Sequence, residues 1–417
     1  MISIRFILLL ILASITQSQA ASIITLDGVP MQVRTHNPQL AAARLRVEEA
    51  RARLLGSGRL SNPEIGFDLK HDYRFAEGSV GIGFDQKFPL TARLRLEKVV
   101  SEKLIVAATL EVSDAERKLI AESQSLVVKL LSIEQQRALR KQQSELAKKL
   151  SEFVSGRVKA GEISPLDAAQ AQVDSQRILL EGSKLEKERV SSIGALKSLL
   201  GLSAESELKI SGAMPAMTMP PRAAWEKRAD YQLSRVNEDA AQSEIELARA
   251  KKWADASAGL FLEGERMEDA PDGLTRSGFF GLRFSLPLPL WNNNEGEIAE
   301  KTAAAQRAAL QTKAIASEIS NEAAAARAEM EASAKLASET REKLLPLITE
   351  QTEKLDKAYE SGQTDLITVL RARDQRLQME AAVLDATRDF HLARIRYEAA
   401  TGKHAPAQTS SPARSGK

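Results

Sequence analysis

The sequence predicts a mainly helical protein with a smaller part made of membrane-type β-strands. Residues 150–201 and 351–402 align with each other without a gap, so that Gly161 falls on Gly362 and Gly201 on Gly402. Long stretches without glycine have a helical period, and alternating segments have the length of membrane strands. Neighbouring copies of a repeat complete each other's fold. We therefore expect long antiparallel helical hairpins together with four strands per chain.

The predicted organisation begins with an export signal at 1–20 and ends with a disordered tail at 403–417. After Arg5, an apolar run too short for a permanent transmembrane helix leads to the small residues Ser18 and Ala20, as a signal peptidase requires. The tail is rich in Ser, Pro and Ala. Between these ends we expect the segments repeat 1 at 21–212, a Pro- and Met-rich linker at 213–222, and repeat 2 at 223–402.

Each repeat is predicted to contain one β-hairpin, at 64–89 and at 255–288. Apolar residues alternate there with polar residues or glycine, which is the period of a strand with two different faces. The apolar set is Phe67, Leu69, Val80, Ile82, Phe84, Leu260, Leu262, Phe280, Leu282 and Phe284. Phe261 and Phe279 break the alternation. Turns are expected at 74–78 and at 266–276, where Pro271, Asp272 and Gly273 form a turn signal.

Four strands cannot close a membrane barrel. An open edge in hydrocarbon leaves backbone groups unpaired, and the smallest membrane barrels have about eight strands. The sequence therefore predicts an oligomer in outer-membrane lipid, with the polar faces towards the lumen. The lumen-facing candidates are Asp68, Lys70, Asp85, Lys87, Glu263 and Arg283. The alternative is a soluble protein whose hairpins pack on a helix, and the export signal favours the barrel.

Two very long helices are predicted at 91–158 and 295–360, each followed by a shorter helix at 164–200 or 365–401. A heptad repeat in the first joins Val112, Leu119, Leu126 and Ile133. A helix of this length reaches on the order of 95 Å and is too long for one compact core. Only Pro346 interrupts the second long helix.

Composition excludes several classes of function. The 58 Lys+Arg against 56 Asp+Glu leave a net charge of +2, which gives no basic field for nucleic acid. The absence of cysteine excludes disulfides, thiolate metal sites and a cysteine nucleophile. The histidines lack the i,i+4 spacing of a zinc site, and no phosphate loop or catalytic triad is present. We expect no enzyme activity, no bound metal and no cofactor.

One weaker candidate for a metal site lies in the linker. Met214, Met217 and Met219 stand close together, and thioethers bind Cu(I). A linker needs no metal, however, so we do not count these residues as a site.

The ensemble of features resembles the TolC family of outer-membrane efflux ducts over roughly residues 25–402. The resemblance is carried by the export signal, the duplicated plan, the Gly161 and Gly362 turn segments, Asn37-Pro38-Gln39-Leu40 and Leu199-Leu200-Gly201. It implies a homotrimer with a 12-stranded barrel in the outer membrane of a Gram-negative bacterium and a periplasmic tunnel of coiled helices. It also implies a periplasmic adaptor and an inner-membrane pump as partners.

Residues 286–298 are similar to the strand-to-helix corner of CzcC-type subunits, which serve heavy-metal pumps of the resistance-nodulation-division class. This similarity implies export of heavy-metal cations. Drug efflux and type I secretion are the alternatives for a duct. A periplasmic coiled-coil adaptor and a secreted enzyme are the alternatives of another class.

The two glycine turns are predicted to be hairpin tips at the end remote from the strands, where a tunnel narrows and an adaptor makes contact. In the resembling family, an acid and a tyrosine at the positions of Asp167 and Tyr359 hydrogen-bond and hold the channel shut, so Tyr359→Phe should raise conductance. The best-known members of the family also have an arginine two residues after the second turn glycine. This sequence has Thr364 at that position.

Two nearby arginines are candidates to replace the missing one. Arg371 or Arg373 could pair with Asp167 or Asp174. The alternative is that all these tip residues only satisfy local helix ends.

Overall fold

A computed structural model of the chain describes residues 22–269 and 273–402. The predicted export signal, the tail at 403–417 and the Pro271-Asp272 part of the predicted turn lie outside the described residues. The elements are β1 (Ser22–Ile24), α1 (Val29–His36), α2 (Pro38–Gly56), β2 (Glu64–His71), β3 (Gly78–Phe88), α3 (Arg93–Lys159), α4 (Pro165–Leu199), β4 (Leu208–Ile210), α5 (Ala229–Ala250), β5 (Ala256–Asp269), β6 (Gly273–Ser285), α6 (Glu295–Glu339), α7 (Leu345–Glu360) and α8 (Leu366–Ala400). Within the described part of the chain, no helix is both long and apolar enough to cross a membrane.

The chain forms two compact units. Unit 1 takes its described residues from Met1–Ala41, Ala115–Trp225 and Ile319–Lys417, and unit 2 consists of Ala42–Asp114 and Glu226–Glu318. Each unit draws on both halves of the chain. The two repeats therefore remain a proposal about how the sequence is built from related segments, and they do not coincide with the compact units.

Unit 2 contains a four-stranded antiparallel sheet with the order β2-β3-β5-β6. The two hairpins are joined by β3 and β5, which pair from Gly78 opposite Arg266 to Phe88 opposite Ala256. Within this sheet β2 and β6 are the edge strands. An edge leaves a row of backbone donors and acceptors available for another strand.

One face of this sheet is apolar and exposed. Phe67, Ile82, Leu262 and Phe280 share one row across the strands, and the next row on the same face carries Phe84, Leu260 and Leu282. Phe67 and Phe284 are 77% and 76% exposed. An apolar surface of this extent is normally covered by a partner or by lipid.

In unit 1, the core lies along the second part of α3 and along α8. Ile120, Val127 and Val128 of α3 are fully buried, as are Phe390 and Ala393 of α8. These helices bury side chains at helical spacing, which stabilises them far more than their intrinsic propensity does.

Two sequence motifs of the resemblance meet in unit 1. The side chain of Asn37 donates from Nδ2 to the carbonyl oxygen of Leu199 at 2.6 Å and accepts at Oδ1 from the Leu40 amide at 2.8 Å. Gly201 has a φ of +66°, and a Cβ there would collide with the carbonyl oxygen of His36. The buried asparagine and the glycine thus join the start of α2 to the end of α4.

The second long helix contains a wide turn that the sequence did not predict. A π-helical turn, Thr340–Leu344, separates α6 from α7, and Pro346 lies in the first turn of α7. The amide of Leu345 donates to the carbonyl oxygen of Thr340. Proline cannot donate a backbone hydrogen bond, and a π turn adjusts the helix to this loss without ending it.

Candidate functional site

The first hairpin tip ends α3 and begins α4. Gly161 has a φ of +75°, which glycine adopts without the steric cost that a side chain brings. The amide of Glu162 donates to the carbonyl oxygen of Arg157 at 2.9 Å, and the Gly161 amide donates to that of Val158 at 3.0 Å. This is a Schellman turn. The Ser164 side chain then caps α4 by accepting from the Leu166 amide.

The second tip, between α7 and α8, repeats this geometry at the aligned positions. Gly362 has a φ of +73°, and the amide of Gln363 donates to the carbonyl oxygen of Ala358 at 2.8 Å. Asp365 caps α8 by accepting from the Thr368 amide at 2.7 Å. The chain therefore reverses its direction in the same way at each tip. At both tips the predicted turn glycine is needed because the turn requires a positive φ.

An apolar cluster lies behind the tips and joins four helices. It consists of Leu150 and Val154 of α3, Ala171 of α4, Tyr359 of α7, and Leu366 and Val369 of α8. Phe153 meets the Tyr359 ring edge to face at a centroid distance of 6.4 Å. The cluster fixes the four helices relative to one another next to the tips.

Tyr359 belongs to this cluster and does not form the predicted latch within the chain. Its side chain is only 6% exposed, and its hydroxyl finds no hydrogen-bond partner among the described residues. Burial raises the pKa of the hydroxyl, Arg157 opposes this rise, and the carboxylate of Asp167 adds to it. The predicted Asp167–Tyr359 hydrogen bond is thus not formed among the described residues, although the Asp167 carboxylate acts on the hydroxyl through its charge.

The predicted replacement ion pairs are also not formed within the chain. Arg373 binds Asp356 of α7, with Nη2 to Oδ1 at 2.9 Å, and does not bind Asp167 or Asp174. Asp174 instead pairs with Arg177 of its own helix at 3.1 Å. Arg371 is exposed, and its charge helps the Thr368 hydrogen bonds to lower the pKa of Asp365.

A pair that the sequence did not suggest connects the helices that follow the tips. Nη2 of Arg177 on α4 lies 2.7 Å from Oδ1 of Asp374 on α8. The other oxygen of Asp374 accepts from Gln378 at 2.8 Å. The aspartate is thereby held towards α4. Neither Arg177 nor Asp374 belongs to a motif that the sequence analysis recognised, so no local signal identified the pair.

The polar face of the sheet carries the six predicted strand charges. The register places Asp85, Gly259 and Arg283 in one row, and Asp68, Gly81 and Glu263 in another. Lys70 and Lys87 lie on the same face. The alternation therefore brings all six candidates to one side.

Two ion pairs neutralise part of this face. Nζ of Lys87 lies 2.6 Å from Oε1 of Glu64, and Nη1 of Arg283 lies 3.8 Å from Oδ2 of Asp85. The latter pair reaches across Gly259, where a Cβ would collide with the Asp85 carboxylate. Asp68 and Glu263 flank Gly81 and have no basic residue in their row.

Phe261, which broke the predicted alternation, fits the polar face for a steric reason. Its row contains Gly66, Gly83 and Gly281, and a Cβ at Gly281 would collide with the Phe261 ring. The Arg283 guanidinium lies over this ring at 5.5 Å. The surrounding glycines were the sequence signal that could have identified this arrangement.

The linker at 213–222 packs on α8 in unit 1. Nε2 of His391 lies 3.0 Å from the carbonyl oxygen of Pro215, and the Tyr397 hydroxyl donates to that of Pro221 at 3.2 Å. Burial lowers the pKa of His391, the Pro215 carbonyl opposes this, and Arg394 adds to the lowering. Met217 contacts the apolar cluster of α6 and α8. Among the residues that the structure describes, no group of histidine and carboxylate side chains could hold a metal ion.

Comparison with known proteins gives one family. The model of the outer membrane efflux protein family matches residues 29–202 and 221–403. Among proteins whose function has been curated, none matches the chain by sequence.

Solved structures give the same fold. CusC, described for the conformational changes that accompany folding and transmembrane channel formation, is 16% identical, with 90% of this chain and 91% of CusC covered and a TM-score of 0.75. The CmeC outer membrane channel of Campylobacter jejuni is 15% identical over 91% of this chain and 86% of its own, with a TM-score of 0.74. The outer membrane protein VceC of Vibrio cholerae is 17% identical over 90% and 96%, with a TM-score of 0.75.

These matches confirm the predicted fold class, a helical tunnel with a β-barrel to which each chain contributes its sheet. The family consists of channels without enzymatic activity, as the sequence predicted. The chain belongs to the outer membrane efflux protein family and is an outer-membrane channel that extends into the periplasm.

Proposed function

We propose that this chain is the outer-membrane duct of a tripartite system that exports heavy-metal cations. It works as a homotrimer with a periplasmic adaptor and an inner-membrane pump of the resistance-nodulation-division class. The hairpin tips at Gly161 and Gly362 receive the adaptor. The trimer supplies 12 strands when three copies of the four-stranded sheet join at their edges, β2 to β6.

The charge of the polar sheet face carries the proposal of a cationic cargo. Lys87 and Arg283 are each paired with a carboxylate, at Glu64 and Asp85. Asp68, Glu263 and Glu265 then face only Lys70 on the same side of the sheet. A lumen with excess negative charge attracts cations and repels anions. This face supports passage of cations as a class.

The heavy-metal class itself comes from the similarity of the corner at 286–298 to CzcC-type subunits. Part of that corner has a structural role. Asn294 has a φ of +59°, and its Nδ2 donates to the carbonyl oxygen of Ala248 and to Glu297. The corner thus fixes the start of α6 against α5, and the choice among metals is left to the pump.

The cargo is tested by deleting the gene and measuring growth in zinc, cadmium, cobalt, copper and silver, with a panel of drugs alongside. Sensitivity to one or more of the metals, reversed by the intact gene, is the expected result. Sensitivity to drugs alone would contradict the metal cargo and leave the duct in place. The intact gene on a plasmid is the control for secondary effects of the deletion.

The assembly is tested separately by cross-linking the mature protein after detergent extraction of outer membranes. A trimer is expected because three sheets supply the strands of the barrel that the resemblance implies. A soluble monomer would contradict both the trimer and the duct and would favour the adaptor alternative.

A further inference from the structure

The residues after β6 form an exposed apolar segment that neither the barrel nor the tunnel explains. We call residues 286–291 the Pro-Leu corner. Its sequence is Leu286, Pro287, Leu288, Pro289, Leu290 and Trp291. All three leucines are exposed, and Trp291 is 93% exposed.

The Pro-Leu corner continues the apolar face of the sheet. On β6 that face carries Phe280, Leu282 and Phe284, and the same alternation in sequence reaches Leu286 and Leu288 after the last paired residue, Ser285. The chain then bends at Leu290. In an outer-membrane channel, the outward apolar face of the strands contacts lipid. The surface that meets lipid therefore extends past the end of the ladder.

The backbone of the corner is suited to a weakly polar environment. Proline lacks an N–H group, so positions 287 and 289 bring no donor that would need a partner. The Leu290 amide donates to the carbonyl oxygen of Leu288 at 2.9 Å, which closes a tight turn. Unpaired backbone donors are costly in hydrocarbon, and three of the six positions of the corner add none.

The position of Trp291 matches that of an interfacial aromatic residue. The opposite end of the sheet, at the β2–β3 turn, carries the exposed Tyr73 and Phe75. The 11 residues of β3 span about 36 Å along the strand and about 25 Å across a bilayer when tilted by about 45°. Membrane barrels have an apolar band of about this height with aromatic residues at both borders.

We propose that the Pro-Leu corner is a lipid anchor, with Leu286, Leu288 and Leu290 at the border of the acyl chains and Trp291 among the headgroups of the periplasmic leaflet. The partner is a phospholipid surface. The anchor fixes the depth of the barrel at the point where strand becomes helix. It depends on the outer-membrane location and is independent of the cargo.

The proposal is tested by quenching tryptophan fluorescence in phosphatidylcholine vesicles brominated at acyl carbons 6,7 or 11,12. The chain has three tryptophans, so the wild type is compared with Trp291→Phe. The fluorescence of Trp291 is the difference between the emission of the wild type and that of Trp291→Phe. We expect the 6,7-bromines to quench this fluorescence more strongly than the 11,12-bromines. Trp225→Phe is the control, because Trp225 precedes α5 and belongs to unit 1, whereas the sheet belongs to unit 2. It should leave the lipid-quenched signal unchanged.

Equal quenching of the wild type and Trp291→Phe by both lipids would overturn the proposal. Acrylamide would then identify the occupant: quenching by it places Trp291 in water, and protection from it indicates cover by a neighbouring copy.

A second route does not depend on Trp291. The chain has no cysteine, so Leu290→Cys can carry an environment-sensitive fluorophore alone. Lys354→Cys, at an exposed position of α7, is the matched control. A blue-shifted emission is expected at position 290 and not at 354. Emission typical of water at both positions would also overturn the proposal.

Discussion

Arg177 of α4 and Asp374 of α8 form an ion pair with an Nη2–Oδ1 distance of 2.7 Å, and Arg177 at the same time contacts Asp174 at 3.1 Å. The hydrogen bond to Asp374 is the largest cause that raises the pKa of Arg177. Because α4 and α8 each begin at a hairpin tip, the pair couples the two tips of one chain.

Arg177→Gln is expected to raise the conductance of the isolated channel in planar bilayers. The pair is partly exposed, so its loss removes on the order of 1 kcal/mol or less, which is up to about a fivefold change in a population ratio. Arg249→Gln is the control, because Arg249 pairs with Glu246 three residues earlier on the same helix. Equal conductance of wild type and Arg177→Gln would show that the pair does not restrain the tips.

Tyr359→Phe is expected to leave the conductance unchanged, in contrast to the expectation from the family latch. The hydroxyl has no partner within the described chain, so its removal takes away a buried polar group that contributes no hydrogen bond. Tyr359→Ala empties part of the apolar cluster, which should cost about 3–5 kcal/mol and raise the conductance. A raised conductance of Tyr359→Phe would instead indicate a partner on a neighbouring protomer and restore the latch.

Mild acid is expected to destabilise unit 1 through His391, which is 3% exposed. Burial lowers the pKa of His391 in the folded protein below its ordinary value of 6.5. As the pH falls, His391 therefore takes up a proton in the unfolded chain before it does so in the folded protein. This contribution to stability is complete above that value and is lost as the pH falls below it.

The measurement for His391 is the unfolding temperature at pH 7.5 and pH 5. His391→Gln should show a smaller fall than the wild type, because glutamine keeps a donor for the Pro215 carbonyl and does not titrate. His36→Gln, at an exposed position of α1, should behave like the wild type. A fall in His391→Gln as large as in the wild type would assign the acid sensitivity to other groups.

Gly259→Ala is expected to reduce the yield of folded channel. A Cβ at this position collides with the carboxylate of Asp85 and separates it from Arg283, a steric change that typically costs about 1–3 kcal/mol. Gly264→Ala on the same strand is the control. The atom nearest to its added Cβ would be the carbonyl oxygen of Val80, at 4.0 Å, which is an ordinary contact. Folded protein is measured by its resistance to unfolding in detergent gels, and similar yields of the two variants would contradict the steric argument.

The double variant Asp68→Asn/Glu263→Gln is expected to reduce the preference of the channel for cations, measured as the reversal potential in a salt gradient. It removes the two carboxylates that flank Gly81. Asp85→Asn/Arg283→Gln is the control, because it removes one charge of each sign. If both double variants kept the wild-type reversal potential, the polar face would not select cations.

Periodicity and turn chemistry predicted the four strands and the two glycine turns. They missed the π turn at Thr340–Leu344 and made the second hairpin turn too long, because β5 runs to Asp269 and β6 begins at Gly273. The alternation in the hairpins assigns Asp68, Asp85, Glu263 and Arg283 to one face because a strand has a strict period of two. Gly161 and Gly362 identify the tips because the turns require a positive φ. Both signals lie within a few residues of the structure that they determine.

The contacts between distant segments were not predictable in this way. The pairing of β3 with β5, and the bond of Asn37 to Leu199, join positions far apart in the sequence. Arg373 has several acids within reach of a long side chain, and only the packed helices select Asp356. The partners predicted for Arg373 and Tyr359 are not found within the chain because those partners depend on how helices pack together, while the role of these residues in gating stays a prediction.

The glycine rows of the sheet have a consequence for assembly. Gly66, Gly83 and Gly281 lie on the same side as the charges, whereas the opposite side carries phenylalanine, isoleucine and leucine. In this row only Phe261 carries a side chain, and the glycines around it leave room for its ring. Glycine in a strand permits a bend or a close approach of another group, so this row is where the sheet can close around one ring per chain without a clash.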